Sequence, residues 1–360
     1  MSNRTDPALD ALFLPFQSGA LHWPKGEVLF LRARYGAALN DPQLSTLVCE
    51  QSFKPDAQLL SNAGFKLIQA EQLTSYPLVL ILLPRQRDEA RALLARAIRH
   101  TQPGGRVVAC LGNNEGARSS EADLKQLIGS VSNLSKHKCR VFWSAPIDTQ
   151  VNQPLVNAWS QLDAPRSIAD PRFVSRPGLF AWDRIDQASA LLAAHLPHTL
   201  SGQAADLGAG FGYLSVELLK RCPNITGLDL YEAEARALHL AEQNLRAQAL
   251  RIPLQFYWHD VTQGLAQRYQ VIITNPPFHT QSRADRPDIG KRFIAVAAEA
   301  LLPGGQLWLV ANRHLPYEEI LSERFGVIQT VAQQDGFKII AAIKNSTPER
   351  STRTQHRQRQ

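Results

Sequence analysis

Asp206-Leu207-Gly208-Ala209-Gly210-Phe211-Gly212 stands between a short apolar run, residues 204–207, and a stretch with helical spacing. Glycines at alternate positions let the backbone turn sharply and approach a ligand closely, with the amides of the following helix directed at it. Strand, glycine turn and helix in this order open an α/β sheet, and the rest of the second half continues the alternation. Residues 225–229, 254–257, 271–274 and 306–311 read as strands, and helical stretches lie between them, as in 232–249 with Ala233, Ala237 and Leu240 on one face. This pattern predicts a mostly parallel sheet with helices on both faces and ligands bound beyond the carboxyl ends of the strands.

Working outward, the first half reads as a weak copy of the second. Residues 76–85, YPLVLILLPR, match 269–278, YQVIITNPPF, in pattern. Each is followed by a helical stretch, then by Pro103-Gly104-Gly105 or Pro303-Gly304-Gly305, then by another strand-like run. Shared order of this kind predicts a duplicated α/β domain. The copies differ where chemistry would sit: Leu82 and Leu83 replace Asn275 and Pro276, and the first strand, 28–31, runs into Arg32-Ala33-Arg34-Tyr35-Gly36 with no glycine-rich turn. The expected organisation is two tandem Rossmann-like domains. The chain divides into a degenerate copy at 1–163, a proline- and arginine-rich linker at 164–178, a site-bearing domain at 179–345 and a basic tail at 346–360.

A length of 360 residues, 44% hydrophobic and 20% charged, is enough for two such domains. The longest apolar run, 78–83, is too short to cross a bilayer, and the first residues, MSNRTDPALDALF, lack the apolar core of a signal peptide. Cys49, Cys110, Cys139 and Cys222 form no C-x-x-C, and the ten histidines show no H-x-x-x-H, so neither a metal nor a disulfide framework is expected. A monomeric protein of the reduced cytoplasm fits these features. Net charge is +7, and residues 350–360, RSTRTQHRQRQ, hold four arginines and no acid. Such a tail is expected to be disordered, serving either as a solubiliser or as an arm on RNA phosphates.

A dinucleotide fold would place a small residue where Tyr213 stands. The acid-x-G-x-G-x-G spacing is instead the form found in folds that bind S-adenosylmethionine (SAM). Asp229, at the expected end of the next strand, could accept from ribose hydroxyls, and Asp260, past the third, from an adenine amino group. Asn275-Pro276-Pro277-Phe278-His279 follows the fourth strand. Methylating an exocyclic amino group is hard because its lone pair is delocalised. The Asn275 side-chain oxygen and the Pro276 carbonyl could accept both N–H groups and draw the nitrogen toward tetrahedral geometry. Pro276 and Pro277 fix φ and offer no competing donor, and Phe278 could stack on a flat base.

Gly208-Ala209-Gly210, Asp229, Asp260 and Asn275-Pro276-Pro277-Phe278 resemble motifs I to IV of the class I amino-methyltransferases. With Pro177-Gly178-Leu179-Phe180, Asp186, the loop from Asp206 to Gly212, Asn275 to His279, Val310-Ala311-Asn312 and Leu315-Pro316-Tyr317, the chain resembles the bacterial 16S ribosomal RNA guanine-N2 methyltransferases of the RsmC type. The resemblance covers about residues 172–345, and Ala188 departs from it where that family tends to have glycine. It implies SAM as cofactor, held by Asp206, Gly208, Gly210, Gly212, Asp229, Asp260, Asp186 and Phe180. It also implies 16S rRNA or the small ribosomal subunit as partner, and an inactive first domain. Phe278, His279, Arg283, Arg286, Lys291 and Arg292 are the expected RNA contacts, although a solvated helix face fits the basic residues nearly as well. A large-subunit guanine, adenine N6, a release-factor glutamine N5, or an RNA-binding assembly factor with a vestigial site remain open alternatives.

Overall fold

The computed structural model describes residues 6–68, 74–148, 150–248, 252–277 and 287–346. Its contacts form two units, the first running to Arg184 and taking in Ala233–Ala237, the second comprising Ile185–Glu232 and the chain from Leu238 onward.

The first unit is built on β1 (Val28–Leu31), β2 (Leu47–Glu50), β3 (Lys66–Ile68), β4 (Tyr76–Leu82), β5 (Thr101–Gly112), β6 (Val131–Lys136) and β7 (Cys139–Ser144), in the order β3-β2-β1-β4-β5-β7-β6. All pairs are parallel except those made by β7. β4 reads YPLVLIL without alternation because helices cover both faces. Leu29 and Leu31 face one helical layer, Val28 and Phe30 the other, which is the two-residue period of a strand. The stretch expected as a linker, 164–178, is folded into this unit. It holds a short hairpin of β8 (Arg166–Ser167) and β9 (Val174–Ser175), a fully buried Phe173, and Arg176 on Asp163 at 2.5 Å. The division between the units falls after Arg184.

The second unit holds β10 (Ser201–Leu207), β11 (Asn224–Glu232), β12 (Leu254–Trp258), β13 (Tyr269–Thr274), β14 (Leu301–Asn312), β15 (Val327–Gln334) and β16 (Phe337–Ile343). Their order, β12-β11-β10-β13-β14-β16-β15, is that of the first sheet strand for strand. The match extends to the irregularities. Tyr76 pairs with Thr101 and then Leu78 with Arg106; Tyr269 pairs with Leu301 and then Val271 with Gln306. The Pro-Gly-Gly turns make these skips. Gly104 and Gly304 have φ of 76° and 75°, and a Cβ on Gly105 or Gly305 would lie 2.8 Å from a backbone oxygen. The duplication is thus present at the level of hydrogen-bond register.

Candidate active site

In the second sheet the strand order reverses direction at β10, between β11 and β13, and such a switch point opens a crevice at the carboxyl ends of the strands. Leu207 lies opposite Thr274, so the glycine loop and the Asn275 loop leave the sheet side by side. The buried Thr274 hydroxyl donates to the Leu207 carbonyl at 2.7 Å and ties the two loop origins together.

Gly208, Gly210 and Gly212 have φ of 75°, 56° and 90°. The amides of Gly208 and Ala209 both donate to the Tyr231 carbonyl, at 2.8 and 3.1 Å. Gly212 packs the helix Tyr213–Arg221 closely, since a Cβ there would lie 2.7 Å from Leu245 Cδ1. Gly210 differs: a Cβ there would meet nothing within 4 Å among the described residues. That open side leaves room for a ligand against the backbone. Asp206 lies fully buried beneath the loop, its Oδ2 accepting from the Ser215 hydroxyl at 2.7 Å. Burial pushes its carboxyl up to about 7, and Oδ1 has no hydrogen-bond partner among the described residues. An orphaned acceptor beside an open glycine cradle fits a cofactor carrying a cationic amino group.

Asp229 does not stand where the sequence suggested. β11 continues through Leu230 and Tyr231 to Glu232, and Asp229 lies opposite Ala205, inside the sheet. Its carboxylate accepts from Tyr269 Oη at 2.6 Å and Gln203 Nε2 at 3.3 Å, and Tyr269 in turn pairs with Tyr231 Oη at 2.6 Å. The acid at the strand end is Glu232, whose Oε2 accepts from the Gly210 amide at 2.8 Å. The signal for it was in the sequence: Leu230 and Tyr231 are strand formers, so the strand had no reason to stop at Asp229.

Asp260 follows β12 and caps the turn Val261–Gln263, with Oδ1 accepting from the Thr262 amide at 2.9 Å and hydroxyl at 2.7 Å. The Tyr231 and Tyr257 rings, on β11 and β12, stack with centroids 4.7 Å apart. Phe180 falls in the first unit and is 64% exposed. Asp186, expected at the cofactor, caps the helix Gln187–His195 through the Ser189 amide at 2.8 Å and holds the Asn275 side chain. Asn275 Nδ2 donates to Asp186 Oδ2 at 3.0 Å and to Ser189 Oγ at 2.9 Å. Neither contact was foreseen, because the partners lie 89 and 86 residues apart.

Phe278, His279, Arg283 and Arg286 lie outside the described residues. Lys291 and Arg292 are engaged within the second unit: Lys291 Nζ is 3.3 Å from Glu319, and Arg292 donates to the Thr262 carbonyl at 2.9 Å and lies 3.4 Å from Glu299. Among the described residues, no group of three or more His, Cys, Asp and Glu could hold a metal, and no helix is long and apolar enough to cross a membrane.

The register identifies the first unit's counterparts. Leu31 stands opposite Glu50 and Ile81 as Leu207 stands opposite Tyr231 and Thr274. Arg32 therefore occupies the place of Gly208, and Leu82 that of Asn275. Arg32 keeps the left-handed backbone, with φ of 53°, and the Ala33 amide donates to the Glu50 carbonyl at 3.1 Å, as Ala209 does to Tyr231. Its guanidinium pairs with Glu89 at 2.8 Å.

A family model described as "Methyltransferase small domain" matches residues 170–341. A ribosomal RNA small subunit methyltransferase C of Alteromonas mediterranea is 31% identical over 277 residues, covering 73% of this chain and 72% of the relative. One of Shewanella oneidensis is 31% identical over 276 residues, covering 75% and 78%. The chain belongs to the ribosomal RNA small subunit methyltransferase C family. A solved T. thermophilus 16S rRNA N2 methyltransferase, in complex with AdoMet and guanosine, is similar over 96% of this chain and 93% of that one, with a TM-score of 0.78 and 26% identity. Membership of the methyltransferase C family thus extends to the duplicated architecture.

Proposed function

We propose that this chain transfers a methyl group from SAM to the exocyclic N2 of a guanine in 16S ribosomal RNA, acting in the cytoplasm on RNA in or entering the small subunit. The observation that carries this reading is the Asn275 side chain. Both of its N–H groups are taken up by Asp186 and Ser189, so only its carbonyl oxygen is left to meet a substrate.

Gly208, Gly210 and Gly212 would hold the cofactor against bare backbone, Glu232 would accept from its ribose hydroxyls, and Asp206 would lie below its amino group. Bound there, SAM supplies an electrophilic sulfonium methyl group. Asn275 Oδ1 and the Pro276 carbonyl then accept the two N–H groups of the guanine amine. With its hydrogens held, the nitrogen would pyramidalise and its lone pair would be available for in-line attack on the methyl carbon, the carbon–sulfur bond breaking as the carbon–nitrogen bond forms and one amine proton then leaving to solvent. Pro276 and Pro277 keep this edge rigid and free of donors. Phe278 would stack on a base brought out of its helix.

Incubating the protein and tritiated SAM with unmodified 16S rRNA, free and as small subunits, tests the reading. It requires label in N2-methylguanine, located by mass spectrometry of nuclease digests. Label in adenine N6, in large-subunit RNA or in protein would overturn the substrate, and no transfer at all would leave only an RNA-binding role.

A further inference from the structure

We infer that Asp186 and Ser189 are positioning residues that set which end of the Asn275 amide meets the substrate; this rests on the methyl-transfer reading above. An asparagine side chain is nearly symmetric in shape, and its oxygen and nitrogen exchange places by rotation about one bond. If the nitrogen faced the substrate, it would present donors to an amine that itself needs acceptors. Something must choose the orientation, and the proline-rich loop cannot, since prolines constrain only the backbone.

Asp186 can choose because a carboxylate only accepts. Its Oδ2 lies 3.0 Å from Asn275 Nδ2, and turning the amide over would set the Asn275 oxygen against it. Ser189 Oγ, 2.9 Å from the same nitrogen, engages the second N–H. Neither partner has freedom to drift. Asp186 is bonded to the Ser189 amide at 2.8 Å as the cap of Gln187–His195, and Ser189 is 8% exposed. The amide is therefore clamped by one turn of a helix whose own cap is half of the clamp.

The first unit shows that capping alone does not demand this arrangement. There Asp6 caps the helix before β1, Pro7–Leu12, through the amides of Ala8 and Leu9, and pairs with Arg34 at 3.0 Å. Leu9 stands three residues after that aspartate, where the second unit has Ser189, and Leu82 stands in the place of Asn275. The cap survives in both copies; the serine and the asparagine occur together in one and are absent together in the other.

The test alters the two partners singly and together in the full-length protein. Asn275→Asp sets one carboxylate against another and should lower kcat by at least about 100-fold, the scale of losing a preorganised polar group. Asp186→Ser keeps a capping hydroxyl for the Ser189 amide but withdraws the acceptor from Asn275 Nδ2, so that both amide orientations are permitted, and should lower kcat by roughly 10-fold. KM for 16S rRNA and Kd for SAM should stay within about threefold in both, because the two side chains engage each other and the helix cap. Combining the two substitutions removes the carboxylate that opposes the one now at position 275, and leaves a carboxylate oxygen toward the substrate. The double variant should exceed Asn275→Asp in kcat by about 10-fold or more, and its Tm should recover likewise. A double variant whose kcat loss is the product of the single losses would overturn the clamp, as would a fall in SAM affinity on Asp186→Ser. The Tm cycle needs no substrate, so a wild type that methylates no rRNA would sink the functional reading while the pairing is still decided by unfolding.

Discussion

Asn275→Ala removes the side-chain acceptor proposed for the reacting centre and leaves the Pro276 carbonyl in place. Its kcat on 16S rRNA should fall by about 10²–10³ with SAM affinity nearly unchanged, as calorimetry and single-turnover rates can show. A wild-type rate would reduce the loop to an ordinary turn. The two acids of β11 separate in the same way. Glu232→Ala should weaken SAM binding by roughly 10- to 100-fold, the loss of a hydrogen bond to a charged group. Asp229→Ala should instead leave the buried Tyr269 hydroxyl without its acceptor and cost about 1–3 kcal/mol of stability, read by urea unfolding. If Asp229→Ala abolishes cofactor binding and Glu232→Ala does not, the assignment is reversed. Asp206 adds a pH dependence. Its carboxyl is raised from 3.8 to about 7 in the folded chain, chiefly by burial. Between those values the unfolded chain has lost a proton that the folded chain keeps. Stability therefore falls as pH rises through the window, by at most about 1.4 kcal/mol per unit. Asp206→Asn should remove that slope, and parallel unfolding curves for the two proteins at pH 4.5 and 6.5 would refute it.

Among the elements, the glycine loop offers a paired comparison. Gly210→Ala and Gly212→Ala both force a side chain into left-handed backbone, at about 1–2 kcal/mol each. At Gly210 the new methyl enters open space, so the protein should fold and lose SAM binding. At Gly212 it strikes Leu245 and Ala241, which should add about 1–3 kcal/mol of destabilisation seen in Tm. Equal losses of stability would mean that the open side of Gly210 is not the cradle. The central strands and both loops were legible in the sequence because parallel strands are continuous apolar runs and glycines and prolines punctuate them. The outer hairpins were not. β6, VSNLSK, and β15, VIQTVAQQ, are edge strands, exposed along most of their length, and carry no apolar run to announce them. The end of β11 was misjudged for the opposite reason, an acid embedded in the strand being taken for its terminus. The clamp on Asn275 was illegible because no local spacing connects residue 186 with residue 275.

At the scale of the whole molecule, two sheets of the same topology raise the question of how many cofactors one chain binds. Titration of the full-length protein with SAM should reach a single equivalent, and Gly210→Ala should remove all of it. A second equivalent surviving that substitution would place a working site in the first unit. The reason to expect one is steric and electrostatic. Where the second unit has Gly208, the first carries a side chain that runs to Glu89, and where the second has Asn275 the first has Leu82.

Arg32 nonetheless adopts the backbone that glycine would. A left-handed turn held by a residue that disfavours it, beside no assigned ligand, is a shape imposed by the strand crossover itself. The hollow for a nucleoside is then an inherited property of the architecture, and the side chains decide only whether it is let or blocked. Evolution could close one such hollow with a few point changes while keeping the module as scaffold. By the same route a designer has a short list of positions at which to reopen it: 32, 82 and 83.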